Sequence, residues 1–136
     1  MKKPLLLLTA LSFVVCFSAP AQNLQKIWES YFDGALDGPD QSRCLLYDPA
    51  GNVFITGTSY NTNSKGNFTT LKYDASGNQL WETSDNGTQT SSKSEGRKLV
   101  MDKNGMVYGV GTLSYNSGDL AIIKYDADGK LWAKNY

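Results

Sequence analysis

Histidine is absent from the 136-residue sequence. Its absence excludes Ser-His and Cys-His nucleophile pairs and histidine metal sites. An excess of charge of one sign is also lacking, because 13 Lys and Arg residues balance 13 Asp and Glu residues. This balance gives no electrostatic reason to bind nucleic acid or an anionic membrane surface. We therefore expect neither kind of partner.

Cysteine is scarce, with Cys16 and Cys44 as the two positions. Cys16 lies in an apolar N-terminal run at 5–17 that follows Lys2 and Lys3 and precedes Ala-Pro-Ala at 19–21. This arrangement is typical of a cleaved signal peptide, and the run is too short for a confident membrane span. We predict cleavage after residue 21, export of residues 22–136, and no membrane span afterwards. Cys44 then has no disulfide partner and is either a small buried hydrophobe or a reactive thiol.

The sequence contains a repeat. LKYDASGNQLW at 71–81 returns as IKYDADGKLW at 123–132, and DPAGNVF at 48–54 returns as DKNGMVY at 102–108. The offsets are 52 residues for the first pair and 54 for the second. A period of this size, made of short strand-like segments, is typical of propeller blades.

Each repeat contains four strand-like segments, which predicts one blade at about 42–84 and another at about 96–136. Trp28, Trp81 and Trp132 occupy equivalent positions, so residues of about 26–32 are predicted to be an orphan strand from a further blade. The predicted fold is all-β, with two four-stranded antiparallel propeller-type blades plus this strand. The ring is incomplete, because closed propellers use about 4–8 blades.

Asp-x-x-Gly turns connect the strands at Asp48/Gly51, Asp74/Gly77, Asp102/Gly105 and Asp126/Gly129. Asp can accept bonds from the following N–H groups, and Gly permits a positive φ. Because all four turns share the pattern, it favours a structural role over catalysis. Asp126 to Gly129 resembles the start of a calcium loop, but the later ligands are missing, so no metal site is predicted.

Other positions also recur. Gly57 and Gly111 predict close backbone approach between neighbouring blades. Arg43 and Arg97 lie at the start of the innermost strands, where they could hold a carboxylate or sulfate in a channel or pair with nearby acidic groups. The tryptophans are expected in the blade core, and Tyr60 and Tyr115 are the candidate surface aromatics.

GNVFITGTS at 51–59 and LKYDASG at 71–77 resemble the SBBP (seven-bladed β-propeller) repeat of secreted bacterial proteins. The resemblance covers about 26–136. It implies an exported, often surface-associated protein of a kind that mostly lacks an assigned catalytic activity. With the predicted signal peptide, the expected location is secreted, at the bacterial cell surface or in the periplasm. YDASGNQLW at 73–81 is also similar to the tryptophan-docking motif of quinoprotein propellers, which hold pyrroloquinoline quinone and calcium. The adjacent cysteine pair of those enzymes is missing here.

The sequence thus favours a secreted or cell-surface scaffold or interaction module that is not an enzyme and needs no cofactor. Its expected partners are further blades, copies of itself, or a glycan or protein ligand. The alternatives are a fragment of a quinoprotein-like dehydrogenase propeller and an oligomeric glycan-binding lectin. Three forms of the molecule remain open: a piece of a larger propeller, a ring of roughly three or four copies, and a two-blade monomer.

Overall fold

A computed structural model describes residues 24–34, 38–60, 65–87, 93–114 and 119–136. The predicted signal peptide at 1–21 lies outside these ranges. The described residues contain β-strands and turns and no α-helix, so none of their elements is a helix able to cross a membrane.

In the described ranges, eight strands form two sheets, and this confirms the predicted all-β fold of two four-stranded antiparallel, propeller-type blades. The first sheet has the order β1-β2-β3-β4 and the second the order β5-β6-β7-β8, so each is a simple meander. The two sheets do not close a ring. The strands are β1 (Asp40–Tyr47), β2 (Val53–Tyr60), β3 (Gly66–Tyr73), β4 (Gln79–Asp85), β5 (Glu95–Met101), β6 (Val107–Leu113), β7 (Asp119–Tyr125) and β8 (Lys130–Asn135).

The Asp-x-x-Gly turns form as predicted. In the turn after β3, the N–H groups of Ser76 and Asn78 donate to Asp74 Oδ1 over 2.8 and 2.9 Å, and Gly77 N–H donates to the Asp74 carbonyl over 3.0 Å. Gly77 has a φ of 87°, in the region that favours glycine. The other three turn glycines also have positive φ: Gly51, Gly105 and Gly129.

A β-bulge occurs at the same place in both sheets. The register shifts between Ser42 and Cys44 in β1, and between Gly96 and Lys98 in β5. The extra residue in each bulge is an arginine, Arg43 or Arg97. Bulges redirect a strand and increase its local twist. Because both repeats have the bulge at the same position, it is a regular feature of this blade.

The bulges explain Gly57 and Gly111 differently from the sequence prediction. A Cβ atom on Gly57 would overlap the carbonyl oxygen of Gln41, and one on Gly111 would overlap that of Glu95. Both oxygens belong to the adjacent strand of the same sheet. The close approach at Gly57 is therefore within a blade rather than between blades. Gly111 meets both its own sheet and the neighbouring one, because Phe68 of the first sheet also lies against it.

The core lies between the sheets. One face of the first sheet packs on the opposing face of the second, and β5 contacts all of β1, β2 and β3. The buried hydrophobic cluster comprises Phe54, Phe68, Leu99, Val107, Leu113, Ala121, Ile123 and Tyr125. Alternation along each strand leaves the two remaining sheet faces outside this core.

Residues 24–34 form no strand and join neither sheet, in contrast to the orphan strand expected over 26–32. The segment lies instead against the outer face of the first sheet, where Trp28 stacks on Tyr73. A strand needs a hydrogen-bonded neighbour, and β1 and β4 at the sheet edges do not pair with these residues. Aromatic stacking therefore holds the segment where strand pairing does not.

Candidate docking faces

The contact between the sheets centres on Phe68. Cβ atoms on Gly96, Gly109 and Gly111 would lie 2.8, 3.1 and 2.8 Å from atoms of the Phe68 ring. The three glycines thus leave a recess in the second sheet, and the aromatic ring fills it. Phe68 is 1% exposed, which shows how complete the fit is.

Trp81 attaches the first sheet to a turn of the second. Its indole N–H donates to the Ala127 carbonyl over 3.0 Å, and its ring stacks on Tyr125 with centroids 5.5 Å apart. Lys72 Nζ reaches the same Ala127 carbonyl at 3.4 Å and lies 5.3 Å from the centre of the Phe54 ring. One carbonyl of the Asp-x-x-Gly turn therefore receives two donors from the neighbouring blade.

A chain of hydroxyl groups crosses the same interface. Thr56 Oγ1 and Thr70 Oγ1 lie 3.0 Å apart, and Thr70 Oγ1 lies 2.8 Å from the Tyr125 hydroxyl. Burial raises the pKa of Tyr125 to about 12, with a smaller contribution in the same direction from the Asp85 carboxylate. Tyr125 thus stays protonated at neutral pH and takes part in a hydrogen bond between the two sheets.

The outer face of the second sheet presents the equivalents of the residues that dock the first. Phe68, Lys72 and Trp81 correspond to Leu120, Lys124 and Trp132. Leu120 is 55% exposed and Trp132 is 42% exposed. Lys124 Nζ lies 5.4 Å from the centre of the Tyr108 ring, and Lys72 Nζ lies 5.3 Å from the centre of the equivalent Phe54 ring. We call this surface the plug face: Tyr108, Val110, Leu120, Ile122, Lys124 and Trp132.

The outer face of the first sheet presents the equivalents of the glycine-lined recess. A cavity of about 280 Å³ opens there, beneath residues 28–32. Its floor corresponds position by position to the part of the second sheet that receives Phe68. We call this surface the socket face: Gln41, Ser42, Ile55, Gly57, Ser59, Thr69, Leu71 and Tyr73.

Trp28 occupies part of the socket face. Its ring stacks on Tyr73 with centroids 6.2 Å apart and an angle of 26° between planes, and it covers Gly77 of the adjacent turn. Trp81 makes the same stacking on Tyr125, the equivalent of Tyr73. Trp28 therefore holds the position that a neighbouring blade's tryptophan would take.

The structure places Arg43 and Arg97 in the two bulges, with exposed side chains. Arg43 Nη2 donates to Gln41 Oε1 over 3.3 Å, and Arg97 forms an ion pair with Glu95. Gln41 and Glu95 are equivalent residues, each two positions before its arginine. Each guanidinium thus has a partner on its own strand, and no contact joins the two arginines among the described residues.

The carboxylates of the turn aspartates accept hydrogen bonds from backbone N–H groups of their own turns. The side chain and N–H of Asn78 hold the pKa of Asp74 below its usual value, and bonds from Ser76 and Gly77 add to this effect. At Asp102, partial desolvation favours protonation, but bonds from Met106 and Asn104 outweigh it, so its pKa is also lowered. These bonds leave the carboxylates in structural roles. In the ranges that the structure describes, no three His, Cys, Asp or Glu residues form a metal-binding group.

The aromatic residues differ from the sequence expectation. Tyr60 is buried rather than a surface candidate, and Lys93 Nζ lies 5.2 Å from the centre of its ring. Tyr115 lies outside the described residues. Trp81 is at the sheet interface, but Trp132 is exposed, because neither of the two described sheets covers the second blade there. Cys44 is half-buried against the core, and its sulfur accepts the Leu99 N–H over 3.4 Å.

The two docking faces were missed by reasoning from sequence. The available signal was the equivalence of Phe68 with Leu120 and of Trp81 with Trp132. This equivalence identifies the docking faces only when it is known which side of each strand packs on the other sheet. No protein-family model matches this chain, and no curated protein is significantly similar to it.

Proposed function

We propose that this chain is a non-catalytic β-propeller repeat module of the SBBP type, exported by a bacterium and acting as a scaffold or interaction module. The observation that carries the proposal is the presence of two outer sheet faces, neither of them packed on the other sheet, whose residues are equivalent to those that join the blades internally. Exposed large apolar side chains grouped on one face, such as Leu120 and Trp132, are typical of protein-binding surfaces. The predicted signal peptide at 1–21 supports export.

The polar side chains support the same proposal. Asp74 and Asp102 accept backbone N–H groups, Arg97 pairs with Glu95, and Tyr125 bonds Thr70. The fold thus uses residue types that often serve catalysis in other proteins. Their contacts stabilise turns, bulges and the sheet interface, which suits a scaffold.

One experiment tests both export and the expectation that the chain carries out no quinone chemistry. The full chain is expressed in a bacterial host, and the exported product is measured by mass spectrometry. The purified product is then titrated with pyrroloquinoline quinone and Ca²⁺, and the reduction of a redox dye is followed with alcohol and sugar substrates. We expect a product of residues 22–136 and neither quinone binding nor dye reduction. Saturable, Ca²⁺-dependent quinone binding with dye reduction would instead establish a dehydrogenase fragment.

A further inference from the structure

We propose that the plug face of the second sheet binds the socket face of the first sheet in a second copy of this chain, so that copies associate head to tail. The inference rests on the proposed role as an interaction module and names its partner. The contact between the two sheets of one chain is the pattern for the contact between chains.

The first argument is the correspondence of positions. In the internal interface, Phe68, Lys72 and Trp81 contact the second sheet and the turn after β7. The plug face repeats these positions as Leu120, Lys124 and Trp132, and the socket face repeats the receiving positions. Both halves of the internal contact are therefore present a second time on the outer faces.

The second argument is the match in size, which favours a copy of this chain over an unrelated protein. Internally, the large Phe68 ring enters a recess formed by Gly96, Gly109 and Gly111. On the socket face, Ser42 and Ile55 stand in place of Gly96 and Gly109, which narrows the recess, and Gly57 keeps the place of Gly111. On the plug face, the smaller Leu120 stands in place of Phe68. A smaller side chain on the plug face thus meets a narrower recess on the socket face, which is the direction of change that close packing at an interface requires.

The third argument concerns polar groups. Internally, the Tyr125 hydroxyl bonds to Thr70 across the interface. On the outer faces, Ile122 replaces Thr70 and offers no hydrogen bond. The Tyr73 hydroxyl, equivalent to that of Tyr125, instead donates to Gln79 of its own sheet over 3.4 Å. Docking of the two faces therefore leaves no tyrosine hydroxyl unpaired at this point, which avoids a desolvation cost.

Trp28 competes with the second copy. It stacks on Tyr73, where Trp132 of the incoming chain would stack. The cavity beside it, where Leu120 would enter, is also lined by Ser30, Tyr31 and Phe32, so these residues must move with Trp28 when a second copy docks. Association thus requires Trp28 to leave Tyr73, so removal of this indole should strengthen binding. A residue that merely stabilised the fold would not have this effect.

The interface joins different faces and is therefore heterologous. Such contacts give rings when the rotation between copies closes and open filaments when it does not. Roughly three or four copies would supply the six or eight blades of an ordinary closed propeller.

The test measures self-association by sedimentation velocity over a wide range of protein concentration. The variants are Leu120→Asp, Trp132→Ala and Trp28→Ala. Leu24→Asp is the matched control, because Leu24 is fully exposed and does not line the cavity. Far-UV circular dichroism checks that each variant retains its β-sheet content.

We expect Leu120→Asp and Trp132→Ala to weaken association at least about tenfold, as hot-spot substitutions do. Trp28→Ala should strengthen it by about tenfold, and Leu24→Asp should change it less than about twofold. The proposal is overturned if parent and Trp28→Ala are monomeric throughout, or if folded Leu120→Asp associates like the parent. Either result leaves the non-catalytic function standing, since the quinone titration tests that function independently.

Discussion

Phe68 determines how closely the two sheets approach each other, because its ring fills the space that side chains at the three neighbouring glycine positions would need. Glycine at positions 96, 109 and 111 is thus required by packing and not by an unusual φ. At Gly105, glycine is required by the backbone conformation and not by packing, because φ is 81° and no other atom lies within 4 Å of the missing Cβ. The repeat therefore uses glycine for two distinct physical reasons.

These reasons predict different costs of substitution. Gly111→Ala should lower the free energy of unfolding by about 3 kcal/mol, because the new methyl group meets the backbone of Glu95 and the ring of Phe68. Gly105→Ala should cost only about 1 kcal/mol, the strain of a left-handed backbone at a non-glycine residue. Urea unfolding of both variants measures the difference. Equal costs, or a larger one at Gly105, would contradict the packing argument.

The turn aspartates predict an acid-sensitive fold. The pKa of Asp48, Asp74 and Asp102 is lower in the folded chain than its usual value near 3.8. Folding therefore favours the ionised carboxylates. Their contribution to stability is complete above pH 3.8 and is lost as the pH falls through the lowered folded-state values.

Urea unfolding between pH 6 and pH 2.5 checks this expectation. The free energy of unfolding should fall below about pH 4. Asp74→Asn should be less stable than the parent at pH 6 and should lose less stability on acidification, because one depressed carboxylate is missing. A parent and variant with the same dependence on pH would show that the hydrogen bonds of Asp74 do not act through its ionisation.

The strands and turns of each blade follow from local sequence. In each blade, Asp-x-x-Gly appears between the first and second strands and between the third and fourth. Apolar residues on both sides of β2 and β3 indicate a sheet with neighbours. The repeat then predicts the second blade from the first. For this reason the fold class and the antiparallel meanders could be predicted from sequence.

Other features depend on contacts that the sequence does not display. The bulges at Arg43 and Arg97 depend on register, and a shift of one residue reverses which side chains face the core. The strand expected over 26–32 does not form, because its hydrogen-bonding partner is missing from the described chain. The docking faces likewise depend on which side of each sheet is already covered by the other.

Equivalent tryptophans should contribute differently, because one is docked and the other is not. Trp81→Ala removes the stacking on Tyr125 and the bond to Ala127, and should lower the free energy of unfolding by about 3 kcal/mol. Trp132→Ala should cost less than about 1 kcal/mol in dilute solution, where no second copy covers it. Thermal or urea unfolding of both variants at low protein concentration provides the comparison. A large loss from Trp132→Ala in the monomer would show that this indole serves its own blade.

At the scale of the whole molecule, the two blades are one unit of the repeating contact that the head-to-tail proposal describes. The internal interface joins the inner faces of the sheets. The outer faces present the same positions, with a smaller side chain at Leu120 and larger ones at Ser42 and Ile55. An interaction module built in this way can extend without acquiring a new kind of surface. In that assembly, Trp28 on the socket face would oppose extension, because it covers Tyr73.

Photo-crosslinking tests this central claim most directly. A benzoylphenylalanine at position 132 is irradiated in an equal mixture of ¹⁴N- and ¹⁵N-labelled chains, and the crosslinked peptides are mapped by mass spectrometry. The same probe at position 81 is the control and should react within one chain, near residues 125–129. We predict mixed-isotope crosslinks from position 132 to residues 73–77. Crosslinks from position 132 that stay within one chain, or that map elsewhere, would contradict head-to-tail docking.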